Sequence, residues 1–172
     1  MGELPRISTD HLSLRPFTIM DIDRLHRLWA EENMRRFLWD DIIISRDRAA
    51  AEVERGLENA ARYGIGYWII ETLKEDDLLG FCGFRLIDQG PDIELMYGLE
   101  PAYWGRGLAT EASRAILAWL WTSTSYQRVF ARTDPPNQKS IAVMQRLGMR
   151  FDSASPTLIS HVLHRSAPDR NP

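Results

Sequence analysis

The sequence predicts a single α/β (α+β) domain, a mixed β-sheet flanked by helices, and three observations carry that reading. The chain has 172 residues, within the ~100–200 usual for one domain. Three apolar segments follow one another at hairpin spacing in its middle, and a helix-then-strand order after Leu99 brings a mixed sheet into play. With 44% hydrophobic and 26% charged residues and six Trp, the composition is that of a globular chain with a sizeable core.

Each element has its own local reason. His11-Leu-Ser-Leu-Arg-Pro-Phe17 alternates as a strand does, and Thr18 followed by Asp21 resembles a capping box opening a helix that runs to about Glu32. Ser45 caps a second helix over residues 46–62, which Tyr63-Gly-Ile-Gly66 terminates. Between these helices lies the basic-aromatic stretch Met34-Arg-Arg-Phe-Leu-Trp39. Strands at 67–72, 78–84 and 93–99, separated by polar turns at 74–77 and 88–92, predict an antiparallel meander. From Gly107 to Trp121, Leu108, Ala112, Ala115, Ile116, Trp119 and Leu120 recur at helical period. Residues 128–133 read as a strand and 138–147 as a short helix ended by Gly148; two further strands follow near 150–153 and 157–164. The domain is therefore expected over 1–165, with 166–172 a frayed polar tail.

Charge and cysteine usage narrow the function classes. Lys plus Arg total 21 against 24 Asp plus Glu, a formal charge of -3, so neither nucleic acid nor an anionic membrane is an expected partner. Any bound anion must be held locally. Cys82 is the single cysteine, within an apolar strand, and reads as a buried structural thiol; a disulfide framework and a multi-Cys metal site are excluded. His161 and His164 fall on opposite faces of a strand without a carboxylate cluster, so no metal site is expected. No run approaches ~18 apolar residues and the start lacks a stretch of signal length, so a cytoplasmic setting is expected.

The most informative segment is Tyr103-Trp-Gly-Arg-Gly-Leu-Ala-Thr-Glu111, where a strand ends, two glycines permit close backbone approach and a helix begins. Free N–H groups and the helix dipole at such a place favour a phosphate. The glycines alone also fit an ordinary connection without a ligand. The segment lacks the Gly-Lys-Ser/Thr of a P-loop and the last Gly of the dinucleotide fingerprint. It follows a meander, and residues 121–133 hold no acidic residue for a ribose.

Here the sequence resembles the GNAT acyltransferase superfamily, and more narrowly its RimJ/RimL-like branch, through Tyr103–Ala112, Asn137-Gln-Lys-Ser140 and Met144-Gln-Arg-Leu-Gly-Met149. Gly66-Tyr-Trp-Ile-Ile70, Leu79-Gly-Phe-Cys-Gly83 and the 34–39 stretch match weaker patterns, and the resemblance spans about residues 8–165. It implies a single-domain GNAT fold with a centrally splayed sheet that takes acetyl-CoA in the splay, and frequent homodimers. It further implies that amides of Trp104, Gly105, Arg106, Gly107, Leu108, Ala109 and Thr110 cradle the pyrophosphate. Leu99 would contact the pantetheine and the acetyl carbonyl through its backbone, and Asn137 would hydrogen-bond the pantetheine arm. The wider superfamily often has Gln or Arg where this chain has Trp104, although Trp is usual in the branch.

Acetyl transfer to an amine needs a proton acceptor, a group that polarises the carbonyl and a donor for the leaving thiolate. Glu94, among apolar neighbours on the strand that ends at the loop, is the candidate base; the alternative is a carboxylate on a solvent face. The Leu99 N–H is the carbonyl-polarising candidate. Met144 stands where much of the superfamily has a Tyr acid and cannot donate a proton, leaving Ser140 as the nearest hydroxyl unless it only caps a helix. Arg35, Arg36, Phe37 and Trp39 either line an acceptor pocket or close the core. The expected activity is acetyl-CoA-dependent N-acetylation of a primary amine, on a small molecule or a protein N-terminus; the alternative is a non-catalytic acyl-CoA-binding sensor of the same fold.

Overall fold

Eight strands pair into one open sheet in the order β1-β2-β3-β4-β5-β6-β8-β7. In the computed structural model, which describes residues 3–74, 77–88 and 90–166, these are β1 (Ile7–Ser8), β2 (Leu12–Pro16), β3 (Tyr67–Thr72), β4 (Leu78–Leu86), β5 (Ile93–Leu99), β6 (Arg128–Thr133), β7 (Arg150–Ala154) and β8 (Ile159–His164). The tail from 167 onward and the middle of both expected turns lie outside the described residues. Five helices flank the sheet: α1 (Ile22–Ala30), α2 (Glu32–Leu38), α3 (Arg46–Tyr63), α4 (Leu108–Ser123) and α5 (Gln138–Arg146).

Strand alternation divides the buried side chains between two faces. On one face Leu12, Leu14, Trp68, Phe84, Leu95 and Val129 pack with Ala112, Ile116 and Leu120 of α4 and Met144 of α5. On the other Ile69 and Phe81 pack with Leu25, Leu28 and Trp29 of α1, Met34 of α2 and Val53 of α3. The two faces pack against different helices, so the direction of each β5 side chain decides which neighbours it meets.

The meander β2-β3-β4-β5 is antiparallel throughout, and the helical crossover through α4 makes β6 parallel to β5. That parallel pairing holds only at Ile93↔Val129 and Glu94↔Phe130. Beyond Glu94 the strands separate, which is the splay that the resemblance implies; β6 then pairs with β8 through six residues.

Three short elements escaped the sequence reading. The first helix stops at Ala30 because Glu31 takes an extended conformation (φ -60, ψ 136). The Glu31 carboxylate then accepts from the Met34 N–H and starts α2 across the basic-aromatic stretch. Strand β1 has only two residues, and a single 3-10 turn covers Pro101–Tyr103; neither is long enough to impose a periodicity. The Thr18/Asp21 capping box is present, opening a 3-10 turn that leads into α1.

Candidate active site

The fork between β5 and β6 leaves backbone donors without a neighbouring strand. The Glu100 N–H donates to Leu79 O at 2.8 Å, so in the alternating antiparallel ladder the Leu99–Gly80 pair is the one whose polar groups face away from β4. The Leu99 N–H therefore points toward β6, where pairing has already ended at Glu94. The β4–β5 register runs from Ile93 to Leu99 without a shift, so this orientation needs no bulge.

Leu99 is also held from its carbonyl side. The Trp104 indole N–H donates to Leu99 O at 2.7 Å, and Lys139 Nζ sits 4.1 Å from the centroid of the same ring. Trp104 thus ties the end of β5 to the first turn of α5 and fixes the loop that leads from β5 to α4. Trp104→Phe keeps an aromatic ring but removes the N–H donor and part of the indole's packing, and should cost about 1–2 kcal/mol of stability and weaken binding of the expected acetyl-CoA several-fold. Melting curves and a binding titration check both, and unchanged values would leave the bond without consequence.

The loop itself turns on Gly105 (φ 76) and Gly107 (φ 78), both in the left-handed region that a side chain would strain. Gly107 is the N-cap of α4 and offers no side-chain cap, so the first-turn amides are open to an external acceptor. Thr110 Oγ1, one turn in, is buried without a hydrogen-bond partner, a polar group left uncompensated. Lys139 and Arg106, whose guanidinium lies 5.6 Å over Tyr103, bring two cations to this loop. The motif's Glu111 faces elsewhere: it accepts from Thr9 Oγ1 and the His11 N–H at 2.5 and 2.9 Å, anchoring α4 to the β1–β2 hairpin.

Across the fork, Asn137 caps α5: its Oδ1 accepts from the Ser140 N–H at 3.3 Å, and its Nδ2 donates to Thr133 Oγ1 at 3.0 Å. One N–H of that amide stays available to a ligand. Ser140 is therefore the capped residue, and its hydroxyl is directed elsewhere, 2.8 Å from Tyr97 Oη. Burial pushes the Tyr97 phenol up to about 12, with the Ser140 hydrogen bond pulling the other way. Tyr97 was not singled out from sequence, although strand alternation puts it on the face it shares with Leu99, two residues away. Lys139 did carry a signal: a cation in the first turn of a helix opposes the helix dipole, as an anion nearby would justify. Met144 is 1% exposed within the core that α4 and α5 cover, so the larger side chain of a Tyr there would overpack it.

Glu94 stands at the apex of the fork on the opposite face, 1% exposed. Arg85 Nε donates to its Oε2 at 2.6 Å, and Arg132 donates from Nε to Oε1 and from Nη2 to Oε2, each at 3.0 Å. Both oxygens are engaged. Five residues of extended strand, roughly 16 Å, separate Glu94 from Leu99, so no direct contact joins its carboxylate to the Leu99 N–H.

The remaining candidates are also placed. Arg35 pairs with Asp41 at 2.9 Å, Arg36 lies over Phe37, and Trp39 packs edge-on to Trp29 at 5.8 Å and closes the core on the α1 face. Burial pushes the Cys82 thiol up, which suppresses its thiolate. His161 is buried against Phe151, while His164 is exposed. Among the described residues no three His, Cys, Asp or Glu side chains converge as metal ligands, and no helix is long and apolar enough to cross a membrane.

A model of the acetyltransferase (GNAT) domain matches residues 11–150. The chain belongs to the GNAT acetyltransferase family. A Bacillus licheniformis relative, the uncharacterised N-acetyltransferase p20, is 30% identical over 149 residues, which cover 83% of this chain and 80% of that one. Among solved structures, an Agrobacterium tumefaciens acetyltransferase superposes with a TM-score of 0.83 at 23% identity, covering 95% of this chain and 96% of its own. A RimL ribosomal L7/L12 α-N-protein acetyltransferase in complex with coenzyme A superposes with a TM-score of 0.77 at 16% identity, covering 91% and 95%. This GNAT acetyltransferase therefore shares its fold with RimL, as the branch resemblance implied.

Proposed function

We propose that this acetyltransferase passes the acetyl group of acetyl-CoA directly to a primary amine, and the observation that carries the reading is the Leu99 N–H, directed into the open fork. It lies between the glycine loop, which suits a pyrophosphate, and the Ser140 hydroxyl, which suits a sulfur. The RimL neighbour's bound coenzyme A supports acetyl-CoA as the donor for this fold.

In this reading the Leu99 N–H polarises the thioester carbonyl and stabilises the oxyanion as the amine adds. Ser140 faces the departing sulfur. Of the three protons of the acceptor ammonium, the amide keeps one, the sulfur receives one and the medium takes the third. Glu94 holds β4, β5 and β6 together at the apex by charge, and the ammonium proton leaves through water. The acceptor enters from the α1–α2 face, where a groove of about 520 Å³ lined by Arg24, Arg27, Glu31 and Glu100 opens beside the end of β5. Its mixed charges suit an amine that also carries a carboxylate or a peptide chain, and RimL's substrate, a ribosomal protein α-amine, belongs to that class.

At a hundredfold excess over its Kd, acetyl-CoA should stabilise the fold by about 2.7 kcal/mol, a rise of roughly 5–11 °C in Tm for a chain of this length. Release of the coenzyme A thiol in the presence of peptide and small-molecule amines then tests transfer. A shift in Tm without amine-dependent thiol release would make the protein an acyl-CoA-binding module.

A further inference from the structure

We propose that Tyr97 is a positioning residue for the leaving-group side of the reaction: its hydroxyl holds the Ser140 hydroxyl in the orientation that presents the serine O–H to the departing sulfur. The inference rests on the proposed acetyl transfer and names a residue for which neither the motif nor the fold assigns a role.

The geometry is specific. Tyr97 Oη lies 2.8 Å from Ser140 Oγ and 3.0 Å from the Ser140 carbonyl oxygen. The phenol has a single proton, so two arrangements exist. With that proton on the carbonyl, the serine O–H points back at Tyr97. With it on Oγ, the serine proton is free to turn into the fork. Exchange between them is a rotation about the C–O bond of the phenol, and it requires no movement of the backbone. The contact joins β5 to α5 across the side of the fork that the two strands leave open, because Tyr97 shares a strand face with Leu99 and Ser140 follows the Asn137 cap.

The pair acts by hydrogen bonding and not by surrendering a proton. A phenol near 12 is a weaker acid than a thiol near 8.5, so a thiolate does not strip it. When the C–S bond breaks, the sulfur keeps the electron pair. The Ser140 O–H donates to it, the Tyr97 O–H supports Ser140, and water delivers the proton that makes the thiol. Tyr97 and Ser140 end the cycle as they began it.

Tyr97→Phe removes one oxygen and keeps the ring that packs beside α5. The expected result is a kcat roughly tenfold lower with the KM for acetyl-CoA within about twofold of the unaltered protein, since the effect falls on chemistry. Ser140→Ala should lower kcat at least as far, and the double variant should be no slower than Ser140→Ala alone, because Tyr97 acts through Ser140. Ser140→Thr keeps a hydroxyl and should retain rate only while Tyr97 is present. Melting curves accompany each variant. An unchanged kcat in Tyr97→Phe, or losses that multiply in the double variant, overturns the proposal. Should the unaltered protein transfer acetyl to no amine, the functional reading fails with it; transfer at full rate by Tyr97→Phe sinks the Tyr97 role alone.

Discussion

Gly107→Val is expected to weaken acetyl-CoA binding by at least ~100-fold while the protein still folds, and the structure separates the two halves of that statement. A Cβ at Gly107 meets nothing within 4 Å in the protein itself, so no packing is broken. The residue has φ 78, where an L-amino acid costs roughly 1–2 kcal/mol and a β-branched one somewhat more. A domain with ~5–15 kcal/mol of stability tolerates that. The proposed phosphate site does not, because the side chain would stand over the amides that open α4. Gly107→Ala, with the same φ demand and less bulk, should fall between. Calorimetric titration checks the series; a folded Val variant that binds acetyl-CoA as tightly as the unaltered protein would remove the phosphate role from this loop.

The second large effect is at Glu94. Glu94→Gln should lower stability by about 2–3 kcal/mol and slow acetyl transfer by less than tenfold at temperatures where the variant is folded. Breaking one partner of a buried ion pair costs ~3–5 kcal/mol, and the lower value applies because the Arg85 and Arg132 side chains are 45% and 28% exposed and water can solvate them in part. The neutral amide keeps one acceptor oxygen but removes the negative charge that Arg85 and Arg132 share, so the apex loosens where β5 and β6 begin to part. A general base would behave in the opposite way, with an intact melting curve and transfer ~10²–10⁴-fold slower. Paired measurement of Tm and single-turnover rate distinguishes the two, and the second pattern would return Glu94 to the chemistry.

Which parts of this were legible in the sequence follows from the range of each interaction. The meander, α3, α4 and the glycine loop write themselves into local periodicity and turn chemistry, and Thr18 with Asp21 announces its cap. Helix α2 was hidden because its start depends on Glu31 leaving helical geometry, a single-residue event within a continuous helix-forming stretch. The site divides in the same way. Gly105 and Gly107 are readable because a positive φ has a residue preference. The direction of the Leu99 N–H depends on the β4–β5 register, which pairs residues 19 positions apart (Gly80 with Leu99) and has no side-chain signature. Tyr97 and Ser140 lie 43 residues apart and meet only because α5 returns beside β5. Glu94 reads as a base because its sequence neighbours are apolar, whereas the arginines that pair with it come from two other strands and leave no local signal.

The structure of the complex with acetyl-CoA bears most directly on the fork as the site of transfer. The thioester oxygen should lie within ~3.2 Å of the Leu99 nitrogen, with the sulfur beside Ser140 Oγ and the pyrophosphate on the amides between Gly105 and Thr110. A thioester bound outside the β5–β6 fork, or one whose oxygen leaves the Leu99 N–H without a partner, would contradict it.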